Sequence, residues 1–196
     1  MFETLKTGVA GHVKIYNAAT KEVLVDKPNM IHYENLSEAL AKSLANIDSS
    51  YAYLMAFGNG GTQVSNTGVI TYNTPNYRDA DADLYNQTYS KIVANNIPAN
   101  LDPSRNKMQV YHVAGKAYTD ILISCYLDYG EPGGQQAFDN SVNFNDTYVF
   151  DELGIKNASG KLLTHVIFHP VQKSLNRIIQ IDYTIRIQTL TNLSSQ

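Results

Sequence analysis

From Ile179 to Gln188 apolar and polar side chains alternate without an error, Ile179, Ile181, Tyr183, Ile185 and Ile187 against Gln180, Asp182, Thr184, Arg186 and Gln188. A period of two puts each set on one face of a strand, so this segment predicts a strand buried on one side and wet on the other. Residues 118–129 carry a looser version, with Ile121, Ile123, Cys125 and Leu127 on one face. Residues 12–16 alternate, 17–20 have turn character and 22–26 are strand-like again, which predicts a hairpin. A second hairpin is predicted over 63–72 around Asn66-Thr67-Gly68, and further strands over 51–57, 110–113, 148–150, 162–168 and 178–189.

The helical signal is smaller. Asn35 followed three residues later by Glu38 has the spacing of a capping box, and Leu36, Leu40, Ser43, Leu44 and Ile47 share one helical face. Together they predict a helix over 36–45. Leu84, Tyr85, Thr88, Tyr89 and Ile92 suit a second short amphipathic helix within 77–96, closely fenced by Pro75 and Pro98. The resulting expectation is a mainly β (α+β) chain: an antiparallel β-sandwich or partly open barrel with one or two peripheral helices. Its 196 residues suit a single domain, with loop excursions near 73–107 and 130–147. No period of about 20 to 50 residues emerges, which argues against a solenoid.

Composition narrows the classes of function. Only 17% of residues are charged and the net charge is −3, so the chain lacks the clustered Lys and Arg that sequence-independent nucleic-acid binding requires. Fourteen Tyr, no Trp and abundant Asn, Thr and Ser fit a β-rich protein with extensive contact surfaces. Cys125, the single cysteine, sits in the apolar run Ile-Leu-Ile-Ser-Cys-Tyr-Leu and reads as a buried structural thiol. The N-terminus has no charged-then-apolar signal, and no run approaches the ~18 apolar residues of a membrane span, so the expectation is a soluble chain made in the cytoplasm with no membrane partner.

Each cluster that suggests chemistry fails on spacing. Asp79, Asp81 and Asp83 match positions 1, 3 and 5 of a calcium loop, but position 6 is Leu84 and position 12 is Ser90, so the trio reads as a solvated acidic first turn of a helix. His165 and His169 fall in a predicted strand, where four residues span about 13 Å, too far for one metal ion. They read as sheet-face histidines. Gly58-Asn59-Gly60-Gly61-Thr62 lacks the Lys-Ser/Thr of a phosphate loop and reads as a structural turn. Asp151 and Glu152 are adjacent, so a strand would point them to opposite faces, and they read as a strand end or turn. The expectation is no enzyme, no metal and no cofactor.

Several blocks carry a resemblance. Phe57-Gly58-Asn59-Gly60-Gly61-Thr62 with Gly68-Val69-Ile70-Thr71-Tyr72, then Phe150-Asp151-Glu152-Leu153-Gly154-Ile155 and Leu163-Thr164-His165-Val166-Ile167-Phe168-His169-Pro170, resembles virion structural proteins of tailed bacteriophages. Such proteins serve as neck, collar, decoration or tail components. The resemblance implies a virion location and an assembly subunit, best placed at the neck or collar, that binds copies of itself in a ring or lattice. Portal or adaptor, tail or capsid proteins would be its other partners. Capsid decoration and a tail-terminator ring are the nearest alternatives, and a carbohydrate-binding, tail-spike-like domain is the alternative from another class. Loops on a rigid β-body are where recognition concentrates. The expected contacts are therefore Glu131, Gln135, Gln136, Phe138 and Asn143 on the 131–145 arm, with Asn59 and Tyr77.

Overall fold

The computed structural model describes residues 5–47, 49–133 and 148–191. Along them run β1 (Leu5–Asn17), β2 (Val23–Ile31), α1 (Tyr33–Leu44), β3 (Ala52–Gly58), β4 (Thr62–Val64), β5 (Ile70–Tyr72), β6 (Gln87–Ile92), β7 (Lys107–His112), β8 (Tyr118–Leu127), β9 (Val149–Asn157), β10 (Leu162–Gln172) and β11 (Ile179–Thr191). Nine strands make one antiparallel sheet in the order β6-β3-β9-β10-β2-β1-β11-β8-β7, curled into a half-barrel. The remaining two, β4 and β5, form a separate hairpin. The chain is mainly β, as its periodicity predicts, with 51% strand and 7% helix. Among the described residues no helix is long and apolar enough to cross a membrane.

The long alternating segment is the middle of this sheet. β11 pairs with β1 from Leu5↔Thr191 to Asn17↔Ile179 on one side and with β8 on the other. Ile179, Ile181, Tyr183 and Ile185 are buried, and with Val13, Ile15, Ile123, Cys125 and Leu127 they form one wall of the core. Met55, Phe57, Leu153, Ile155, Val166 and Phe168 form the facing wall, so the curled sheet closes over its own apolar face. Tyr183, fully buried, donates its hydroxyl to Thr164 Oγ1 at 2.6 Å and so satisfies its one polar atom across the core. In the β1–β2 turn, Asn17 Oδ1 accepts the backbone N–H groups of Ala19 and Thr20 at 2.9 and 3.1 Å, which is the turn chemistry expected of Asn there.

Two helical expectations are corrected. The helix starts at Tyr33, three residues earlier than predicted, and its cap is His32, whose Nδ1 accepts the N–H of Asn35. Asn35 is instead buried, and its amide donates to the carbonyls of Ala80 and Leu162 at 3.1 and 2.9 Å. Only Leu36 of the predicted stripe is buried, alongside Ala39, and Leu44 lies 90% exposed. The second helix is a strand: β6 pairs with β3 over Leu54↔Ile92 to Gly58↔Gln87. Its Tyr89 ring packs 6.1 Å from that of Phe57, and the pairing overrides the local helical spacing of the segment.

The half-barrel is incomplete between its edge strands β6 and β7, and asparagines tie that seam. Asn95 Nδ2 donates to the Met108 carbonyl at 2.6 Å while Asn95 Oδ1 accepts the Met108 N–H at 3.0 Å. The side-chain amide thus stands in for a neighbouring strand. Asn100 Nδ2 donates to the carbonyls of Ala94 and Asn106, and Asn106 Oδ1 accepts the Tyr126 N–H. Lys91 reaches across to the Tyr126 carbonyl at 2.7 Å.

Candidate functional site

An acidic pair inside a buried strand must be satisfied or it destabilises the fold. All nine residues of β9 are buried, and Asp151 and Glu152 lie in its first half. They are neither a strand end nor a turn, and both reach the same 58–62 loop. The alternation expected of neighbours fails here because the β9–β10 ladder shifts register between Ile167↔Glu152 and Val171↔Phe150. Asp151 accepts the N–H groups of Gly61 and Thr62, each at 2.8 Å, and the Thr62 hydroxyl. Glu152 Oε1 accepts from Gly60 N and Asn86 N at 3.1 and 2.7 Å, and Oε2 from Tyr85 N and His165 Nε2 at 2.9 and 3.1 Å. The glycine loop is therefore an anion cradle whose anions are the protein's own carboxylates. Gly58 has to be glycine, since a Cβ would sit 2.4 Å from Glu152 Oε1 and 2.5 Å from the Asn86 carbonyl.

His165 is more than a sheet-face histidine. Its Nδ1 accepts the Asn76 N–H at 2.8 Å, which assigns the ring proton to Nε2 and its hydrogen bond to Glu152. Both ring nitrogens thus have a partner. Burial pushes the Glu152 carboxyl up, but the hydrogen bonds from His165, Asn86 and Tyr85 outweigh it and hold the group below its ordinary range. Asp151 moves the other way: burial raises it more than the bonds from Thr62 and Gly61 lower it. His169, four residues on, is exposed and sits 3.3 Å from the Tyr72 hydroxyl.

This cluster anchors the stem of the β4–β5 hairpin. Thr62, held by Asp151, is the first residue of β4, and Asn73, just past β5, bonds back to the Gly61 and Gly60 carbonyls through its N–H and side-chain amide. Gly68 takes a φ of +81° in the tip. Val64, Val69 and Tyr72 are 43, 58 and 53% exposed on this hairpin.

The acidic trio does not converge, and it heads no helix. Asp79 Oδ1 accepts the Asp81 N–H, while Asp83 bonds Lys156 Nζ at 2.6 Å through Oδ2 and its neighbour Leu84 N through Oδ1. Among the described residues no group of three or more His, Cys, Asp and Glu side chains could hold a metal ion. Burial pushes the Cys125 thiol up to about 12, which leaves it protonated and unreactive.

The predicted contact residues separate. Glu131 lies at the seam, where its carboxylate binds Lys91 and accepts the Asp128 N–H at 2.9 Å. A cavity of about 290 Å³ opens beside it, and there Arg105 bridges Asp102 and Asp128, each at 2.6 Å. Asn59 is a correction: it is 5% exposed and bonded to Asn86 through both its N–H and its Oδ1, so it belongs to the cradle rather than to the surface. Tyr77 is half-buried, edge-on to the Tyr33 ring at 6.1 Å, with the Arg78 guanidinium 4.8 Å over its face. Gln135, Gln136, Phe138 and Asn143 lie outside the described residues.

A second surface feature has no counterpart in the sequence reading. A groove of about 630 Å³ runs between α1 and strands β1 and β2, lined by Val9, Pro28, Met30, Ile31, Leu36 and Leu40. The pinned loop, by contrast, had a usable signal: two adjacent acids in a buried strand need several donors, and a run of glycines offers consecutive backbone N–H groups. Comparison with family models, with curated proteins and with solved structures finds no match for this chain.

Proposed function

We propose that this protein is a non-catalytic assembly subunit of a tailed-bacteriophage virion, of the neck or collar type, that binds copies of itself and neighbouring virion proteins. The observation that carries the reading is the use to which the buried acids are put: they fix the base of a hairpin whose apolar side chains face solvent. A projection that is rigid at its base and apolar along its length loses little entropy on docking and removes exposed apolar surface. The exposed tyrosines Tyr33, Tyr51, Tyr72, Tyr85, Tyr111 and Tyr129 add the residue type enriched at protein interfaces. Within the assembly class, the virion assignment rests on the resemblance of the 57–72, 150–155 and 163–170 blocks.

The test is a cryo-electron map of the parent particle assembled with the wild-type chain or with a Val64→Asp, Val69→Asp double variant. Both positions are exposed, so the variant should melt within a few degrees of wild type. The expected result is density for the wild-type chain at the head-to-tail junction and its loss with the variant. Density spread over the capsid faces would replace the neck reading with decoration. Normal incorporation of the variant would remove the hairpin from the assembly contact.

A further inference from the structure

We infer that the free edge of β7 is a self-complementary docking strand, through which two copies of this chain join their sheets about a two-fold axis at Tyr111. Among the described residues β7 pairs only with β8, which leaves its other edge without a neighbouring strand. Which residues present their backbone there follows from Asn95. In an antiparallel ladder a residue's N–H and C=O point to the same side, and successive residues alternate. Both groups of Met108 face Asn95, away from β8, so those of Val110 and His112 face outward too, while Lys107, Gln109 and Tyr111 bond to β8.

The free stretch is short, and its limits select the partner. Asn95 already occupies the outward groups of Met108, and the strand ends at His112. Two residues, Val110 and His112, are left with outward N–H and C=O groups that no described residue bonds. An antiparallel copy related by an axis at Tyr111 sets Val110 opposite His112 of the second copy, and the reverse. That arrangement supplies one donor and one acceptor for each of the two open residues and leaves none over. A longer foreign strand would meet Asn95 at one end. A second copy fits because it is equally short.

Side chains support the same occupant. The row Gly11, Ile185, Ile121, Val110 crosses β1, β11, β8 and β7 in register. Along it burial fades from Ile185 at 3% to Val110 at 69% exposure, so the apolar face runs on to an uncovered end. The second copy would bring its own Val110 diagonally across, within reach for apolar contact. Tyr111 would face Tyr111 of the second copy on the other side, as an aromatic cross-strand pair. An isologous contact of this kind closes on itself at two copies. The inference stands apart from the virion reading, because it uses only the geometry of the edge.

Sedimentation equilibrium on the purified full chain tests it, with Val110→Pro and Val110→Lys as variants. The Val110 N–H points away from β8, so proline there spares the β7–β8 ladder and removes an edge donor. The expected result is a wild-type dimer, an association constant at least about tenfold weaker in Val110→Pro, and melting temperatures within a few degrees for all three proteins. Val110→Lys, which sets like charges close to the axis, should weaken association in the same way. Hydrogen exchange should show the Val110 and His112 amides protected only at concentrations where the dimer forms. A chain that stays monomeric, or a dimer that both variants leave intact, overturns the inference. Edge amides protected only by another virion protein would assign the edge to a foreign strand and overturn it equally.

Discussion

Glu152 is a buried carboxylate with four donors, so its charge is stabilised by directional bonds. Replacing it by glutamine keeps the shape but turns one acceptor into a donor, which then faces either the Gly60 and Asn86 N–H groups or the Tyr85 N–H and His165. Two donors lose their partner, and each buried unsatisfied group costs about 1–3 kcal/mol. Glu152→Gln should therefore lose about 3 kcal/mol in urea unfolding at pH 7. The pH dependence carries a separate sign. Because folding depresses this pKa, Glu152 contributes stability that is present above its unfolded value of about 4.3 and lost as pH falls through the lower folded value. Asp151, raised by burial, works in the opposite sense: its contribution is present below about 3.9 and is lost as pH rises through the folded value. Measured stability of wild type should consequently fall below pH ~4.3 more steeply than that of Glu152→Gln. Parallel acid limbs for the two proteins would show that Glu152 is not a stabilising anion.

β11 shows which information a strand carries on its own. Its buried row, Ile179 to Ile185, sits between β1 and β8, with Ile181 opposite both Ile15 and Cys125. An aspartate at Ile181 buries an unpaired carboxylate, at several kcal/mol against a total domain stability of about 5–15 kcal/mol. Ile181→Asp should give insoluble protein, whereas Gln188→Asp, exposed on the same strand, should fold and melt like wild type. Soluble, cooperatively melting Ile181→Asp would contradict the burial of that face. The strands β1, β8 and β11 were legible for the same reason, since half-burial writes a period of two into the chain, whereas β3 and β10, buried over much of their length, were legible as short apolar runs. β6 was not legible: Tyr85 and Asn86 give their N–H groups to Glu152 and Tyr89 packs on Phe57, contacts that no local spacing encodes. The candidate site was hidden for a related reason. Glu152 and His165 meet in regular register, but Asp151 reaches the same 58–62 loop where the β9–β10 ladder shifts, and alternation arguments fail where a ladder slips. His32 was missed as a cap because it accepts through a ring nitrogen in a position usually held by Ser, Thr, Asp or Asn.

A nine-stranded sheet curled into a half-barrel has a weak line built into it, where two edge strands approach without a ladder between them. The hydrogen bonds that close this line among the described residues come from side chains: Asn95 on Met108, Asn100 between the Ala94 and Asn106 carbonyls, and Lys91 between the Tyr126 carbonyl and Glu131. Side-chain closures at a wet margin are individually weak, so opening should begin there and leave β1, β11 and β8 intact. Asn95 is the most informative position, because one amide satisfies both backbone groups of Met108. Asn95→Ala exposes those groups to water instead of burying them, so the loss is that of two net hydrogen bonds, about 1–2 kcal/mol. Amide exchange at Met108 should accelerate accordingly, about tenfold or more, while Ile123, on the buried side of β8, keeps its protection. If Met108 exchanges at the wild-type rate in the variant, the seam is held elsewhere. If Ile123 accelerates equally, edge and centre open as one unit and the half-barrel has no weak line.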